Sequence, residues 1–153
     1  MSAQQRPLEL ILARNLLSNL STPGLLVGDG GRLLFYNEAA GAIVGRSFEE
    51  VTGFSAEEWT SEFGPLDIDG HPIAYEQIQA TKIVRAHMPF HGEFSIKAHG
   101  GRREIALTAI PIVAPDDSTA AVVLFWLTDG EPVPAHAAHL SDRLREVDGE
   151  AAP

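Results

Sequence analysis

The stretch FHGEFSIKAHGGRREIALTAIPIVAPDDSTAAVVLFWL, residues 90–127, reads as three consecutive β-strands and decides the fold class. Its first part alternates strictly. Phe90, Gly92, Phe94, Ile96 and Ala98 fall on one face, and His91, Glu93, Ser95 and Lys97 on the other. A period of two with one apolar and one polar face is the mark of a half-exposed antiparallel strand. His99-Gly100-Gly101-Arg102 supplies a hairpin, and Arg103 to Val113 returns as a second strand. Pro115-Asp116-Asp117-Ser118 turns the chain again. Ala120 to Leu127 is apolar on both faces, which predicts a central strand covered on both sides.

Upstream of these strands, Ile78, Ala80, Ile83 and Val84 recur at helical spacing and predict one longer helix over about Tyr75 to His87, with His87 on the same stripe. Asp67-Ile68-Asp69-Gly70-His71-Pro72 before it is turn chemistry. Gly41 to Gly64 reads as a string of short helices. Asn37 is placed to cap the first, Gly45 to end it, and Ser55-Ala56-Glu57-Glu58 forms a capping-box pattern leading into Trp59. Leu25-Leu26-Val27 and Arg32 to Tyr36 are two short apolar strands. Gly28-Asp29-Gly30-Gly31 joins them as a tight hairpin; no helix or Lys-Ser/Thr follows directly, so a phosphate cradle is the weaker reading.

The first segment, Pro7 to Leu20, predicts a helix with an unusually wide apolar stripe: Leu8, Leu10, Ile11, Leu12, Ala13, Leu16, Leu17 and Leu20. A half-buried helix needs only about a third of its circumference apolar. The excess implies a helix packed on its own domain and on a second copy of the chain, with Leu8, Ile11, Leu12 and Leu16 as dimer contacts. Complete burial within one monomer is the alternative. This helix is also the natural cover for the outer face of the last strand. Residues 1–21 therefore form a flanking helix, 22–129 a domain, and 130–153 an acidic, Pro/Ala-rich tail expected to be mobile.

A chain of 153 residues suffices for one self-sufficient core. It has no cysteine, which excludes disulfides, thiolate metal sites and cysteine nucleophiles. A net charge of −10 disfavours nucleic acid and anionic membrane as partners. No apolar run is long enough to span a bilayer, and the first residues lack a signal-peptide pattern, so a cytoplasmic location is expected. No Gly-x-Ser-x-Gly, His-Glu-x-x-His or Walker-type loop is present, and the paired carboxylates sit in turns and caps. The chain is therefore expected not to be an enzyme. His136-Ala137-Ala138-His139 has metal-chelating spacing without an obvious third ligand, which favours solvated histidines.

The element order, with its turn residues, resembles the PAS domain family over Thr22 to Asp129. Pro23-Gly24-Leu25-Leu26-Val27 with Asp29-Gly30-Gly31-Arg32 looks like that family's opening hairpin, and Tyr36-Asn37-Glu38-Ala39-Ala40 its strand-end asparagine followed by small residues. Val44-Gly45-Arg46-Ser47-Phe48-Glu49-Glu50-Val51-Thr52-Gly53 is similar to its glycine-bracketed segment, and Ile110-Pro111-Ile112 carries its fourth-strand proline. The resemblance implies an α+β fold: a five-stranded antiparallel sheet with helices packed on one face. It implies a sensory or signalling module whose output passes to a separate protein such as a kinase or transcription regulator.

It also implies a ligand cleft between the sheet and the longer helix, lined here by Ile78, Ile83, Val84, Phe94, Ile96, Leu107, Leu124 and Trp126. A solid core is the alternative. An apolar lining selects an apolar or aromatic molecule. Haem-binding relatives use a histidine on the corresponding helix, which makes His87 a possible haem ligand, although a histidine at a helix C-terminus interacting with the helix dipole is the favoured reading. The light-sensing branch uses a cysteine that this chain lacks. Trp59 and Trp126 are candidates to stack on a flavin, or simply to pack. No cofactor is required by the sequence, and haem or flavin is the alternative reading.

Overall fold

Strands β3 (Phe90–Ala98), β4 (Gly101–Val113) and β5 (Thr119–Leu127) form a continuous antiparallel meander in a computed structural model, which describes residues 8–129. The expected mobile tail, with His136 and His139, lies outside the described residues, as does the start of the first segment. A hairpin of β1 (Gly24–Val27) and β2 (Leu33–Tyr36) completes one five-stranded sheet in the order β2-β1-β5-β4-β3. The doubly apolar β5 is central, as its sequence predicts. Turn residues explain the first hairpin: Gly30 and Gly31 have φ of +77° and +86°, where a Cβ is disfavoured.

Directly paired residues share a face, so the polarity of β3 fixes the other strands. Phe94 pairs with Ile105, and Ile105 with Leu127. The inner face of β5 is thus Thr119, Ala121, Val123, Phe125 and Leu127. Its outer face is Val122, Leu124 and Trp126. The expectation that Leu124 and Trp126 line an inner cleft is therefore corrected: both point away from it.

Helix α1 (Leu8–Ser18) lies against that outer face. Ala13 and Leu17 are buried with Leu26, and Leu34, Ile112, Val122 and Leu124 pack against them. The inner face carries the larger core, in which Leu33, Tyr36, Val51, Ile96, Ile105 and Phe125 are buried. It is closed by α2 (Glu38–Val44), α3 (Phe48–Val51), α4 (Ala56–Phe63) and α5 (Gln79–Arg85). Ser55 and Glu58 make the expected capping box at α4. Gly45 ends α2 in the left-handed conformation.

Two local expectations are corrected. The helix expected over Tyr75 to His87 is broken: Tyr75–Gln77 forms a 3-10 turn, and Ile78 is extended (φ −73°, ψ 120°). Turning out of the helical path lets Ile78 bury its β-branched side chain, which is 6% exposed. Helix α5 then ends at Arg85. Met88 donates its N–H to Ile83 and His87 to Val84, a Schellman closure with His87 in the left-handed position (φ +63°) that glycine usually takes. Pro89 follows and blocks continuation.

Ser95, expected on the exposed face of β3, is buried. The segment around Leu66 pairs with this edge of the sheet, its N–H donating to the Ser95 carbonyl at 2.8 Å. The Ser95 hydroxyl lies 2.7 Å from both Glu104 carboxylate oxygens and accepts from Arg102.

Candidate functional site

A cavity of about 180 Å³ opens between the inner face of the sheet and the short helices. Its origin is local. β4 and β5 present Ala109 and Ala121 where α5 sets down Val84, and these three buried residues meet without filling the space around them. Large residues set the rest of the wall: Phe94 and Ile96 from β3, Leu107 from β4, Trp59 and Phe63 from α4, and Ile78 before α5.

Of the eight residues the sequence assigns to the cleft, the structure brings five together here: Ile78, Val84, Phe94, Ile96 and Leu107. Ile83 is half-buried on α5 and is not among the lining residues. Leu124 packs beneath α1. Trp126 is 42% exposed, its ring centroid 6.1 Å from that of His91. The sequence reading missed Val123 and Phe125 on the inner face of β5, and Ala109 and Ala121, whose smallness creates the space. The pairing register carries the missing signal, since Phe94 fixes every inward residue across β4 and β5.

The deep polar side chains of this cavity are already committed. Trp59 donates its indole N–H to the Gly31 carbonyl at 2.6 Å, and Tyr36 its hydroxyl to the Arg46 carbonyl at 2.7 Å. Burial, then the nearby Glu50 carboxylate, pushes the Tyr36 phenol up to about 12. Gly31 is held close beneath the next aromatic residue: a Cβ there would lie 2.5 Å from the Tyr75 ring. Among the described residues no buried side-chain nitrogen or oxygen lacks a hydrogen-bond partner. An occupant of the deep end therefore meets carbon.

A second set of polar lining residues clusters around Tyr75. Tyr75, Thr81 and Arg85 come from the segment that closes over the sheet, and Asp29 from the β1–β2 turn. Burial raises the Tyr75 phenol, so it stays neutral at physiological pH. The Arg85 guanidinium lies 5.7 Å from the Tyr75 ring centroid and 3.4 Å from the Glu76 carboxylate.

His87 is not placed as a haem ligand. It is exposed beyond the end of α5, absent from the cavity wall, and its Nε2 hydrogen-bonds with the Thr119 hydroxyl at 3.1 Å. The cavity as it stands has the size of a single ring rather than of a haem or a flavin. Its volume is close to the roughly 150 Å³ that takes up a benzene ring and below the roughly 300 Å³ at which drug-sized pockets begin. Trp59 is available to a ligand; Trp126 is on the other side of the sheet.

Two other features complete the surface. Leu8, Ile11, Leu12 and Leu16 on α1 are between 44% and 64% exposed, and Ile110 and Trp126 add apolar surface on the same side of the sheet. Asp67, Asp69 and His71 place their ligand atoms within 4.8 Å of one another in an exposed turn. The turn explains that cluster: Asp67 Oδ1 accepts the backbone N–H of both Asp69 and His71 at 2.9 Å, and the His71 bond above all lowers its carboxyl.

No family model matches the sequence, and no curated protein matches it. Solved structures do. The PAS domain of BvgS from Bordetella pertussis is 16% identical with a TM-score of 0.54, covering 92% of this chain and 98% of that one. A PAS domain from Colwellia psychrerythraea is 15% identical with a TM-score of 0.58, covering 78% and 97%. The LOV protein of Rhodobacter sphaeroides is 13% identical with a TM-score of 0.60, covering 86% and 74%. At such identities the likeness is one of fold.

Proposed function

We propose that this chain, which has the fold of a PAS domain, is a sensory signalling module that homodimerises through α1 and takes a small apolar ligand into its cavity. The observation that carries the reading is the cavity itself. It is hollow, apolar at its deep end, and closed on one side by a single seven-residue helix, α5. Filling it changes how α5 rests on β4 and β5. β5 also carries, on its opposite face, the residues on which α1 packs, so one strand links ligand to dimer.

The dimer is supported by geometry. The two residues α1 buries, Ala13 and Leu17, lie on one side, and the four it exposes present a second apolar surface. Two copies related by a two-fold axis cover that surface with itself. Signal output then passes to a separate protein such as a kinase or transcription regulator, in the cytoplasm. The net charge of −10 argues against nucleic acid or membrane as that partner. A non-catalytic role is supported by the chemistry of Trp59 and Tyr36, whose donors are spent on backbone carbonyls.

Native mass spectrometry of the full chain tests ligand and stoichiometry together. The expected species is a dimer that takes up a monocyclic aromatic compound with retained mass, and a chain shortened by residues 1–20 is expected to be monomeric. A monomeric full chain, or an unchanged dimer after that deletion, contradicts the proposed interface.

A further inference from the structure

We infer that the ligand carries a carboxylate, held at the rim of the cavity by Arg85 while its apolar body fills the deep end. This rests on the reading of the cavity as a ligand site and names the chemical class it takes. The wall is not uniform. Trp59 and Tyr36 spend their donors on backbone carbonyls, whereas Tyr75, Thr81 and Arg85 bring hydroxyl and guanidinium groups to the wall around Tyr75. A guanidinium presents two parallel donors that match a carboxylate.

Arg85 already pairs with a carboxylate outside the cavity wall. Glu76 Oε2 lies 3.4 Å from Arg85 Nη1, with the Glu76 side chain 73% exposed. A pair so open to water is worth little, so a ligand carboxylate displaces Glu76 at small cost. Glu76 lies two residues before the break at Ile78 and next to Tyr75, whose ring lies under Arg85. Asp29 is the one carboxylate among the lining residues. The volume of about 180 Å³ leaves room for one ring below the rim.

Titration of the full chain with phenylacetate, phenylacetamide and 2-phenylethylamine, followed by NMR, tests this directly. Phenylacetate is expected to bind about three- to tenfold more tightly than the amide, with the amine weakest. Arg85→Gln is expected to abolish that preference and leave amide binding unchanged. Glu76→Gln, which removes the competing carboxylate, is expected to tighten phenylacetate binding by about two- to fivefold. Equal binding of acid and amide, a preference for the amine, or a Glu76→Gln variant that weakens acid binding overturns the carboxylate assignment and leaves the apolar-ligand reading standing. If none of the three compounds moves the signals of Ile78, Val84 or Leu107, both inferences fall.

Discussion

The side-chain amide of Asn37 donates to the carbonyl of Leu17 at 3.0 Å, joining the end of β2 to the flanking helix α1. The same buried amide donates to the Thr22 carbonyl at 2.8 Å, while its oxygen accepts from Gly24 and Ala40. One side chain therefore caps α2, orders the entry to β1 and fastens α1. Asn37→Ala leaves these backbone groups unpaired in a buried place, and a loss of about 2–4 kcal/mol is expected in urea unfolding. Asn37→Asp keeps the acceptor but removes the donor. It is expected to loosen α1 selectively, seen as faster amide exchange in α1 than in the β1–β2 hairpin.

Leu12→Glu and Leu16→Glu place charges on the exposed side of α1 without touching Ala13 or Leu17. Both variants are expected to remain within about 0.5 kcal/mol of the parent in stability, as surface substitutions usually are. In sedimentation they are expected to run as monomers. Persistence of the dimer locates the interface elsewhere.

Ala109 lies on the inner face of β4 at 3% exposure, against Val84 and the cavity. Ala109→Leu directs three further carbons into the void. It is expected to raise stability by about 1 kcal/mol, as cavity filling does, and to abolish uptake of aromatic probes. Destabilisation instead marks a wall without spare volume.

Asp129 follows β5 and accepts from Arg103 at 2.5 and 2.6 Å and from the Glu104 N–H at 3.0 Å. The Arg103 bond, then the backbone bond, lowers its carboxyl to about 2. The folded value lies below the unfolded one, near 3.9, so its contribution is complete above that value and disappears as pH falls toward 2. Between pH 4 and 2 the urea midpoint of the parent is expected to fall more steeply than that of Asp129→Asn.

Element existence was largely legible in residues 90–127, because β3 carries strict alternation and β5 a doubly apolar run that only a central strand explains. Which face β5 gives to the cavity was not legible from β5 itself, for the same reason: with no polar residue to mark a side, Leu124 and Phe125 look alike. The register with β4 decides it. Ser95 escaped because its burial comes from the Leu66 segment, a partner of no regular pattern. The Tyr75 to His87 break escaped because Ile78 fits a helical stripe and an extended insertion equally well. His87 follows the same lesson: spacing put it on the apolar stripe, whereas chain reversal before Pro89 turned it outward.

The most direct test of a hollow, ligand-admitting core is benzene titration followed by methyl NMR of the full chain. The expected result is saturable shifts at Ile78, Val84, Leu107 and Val123, with none originating at Leu12 or Leu16. Shifts confined to the exposed methyls of α1, or no saturable shift at the cavity wall, contradict the account.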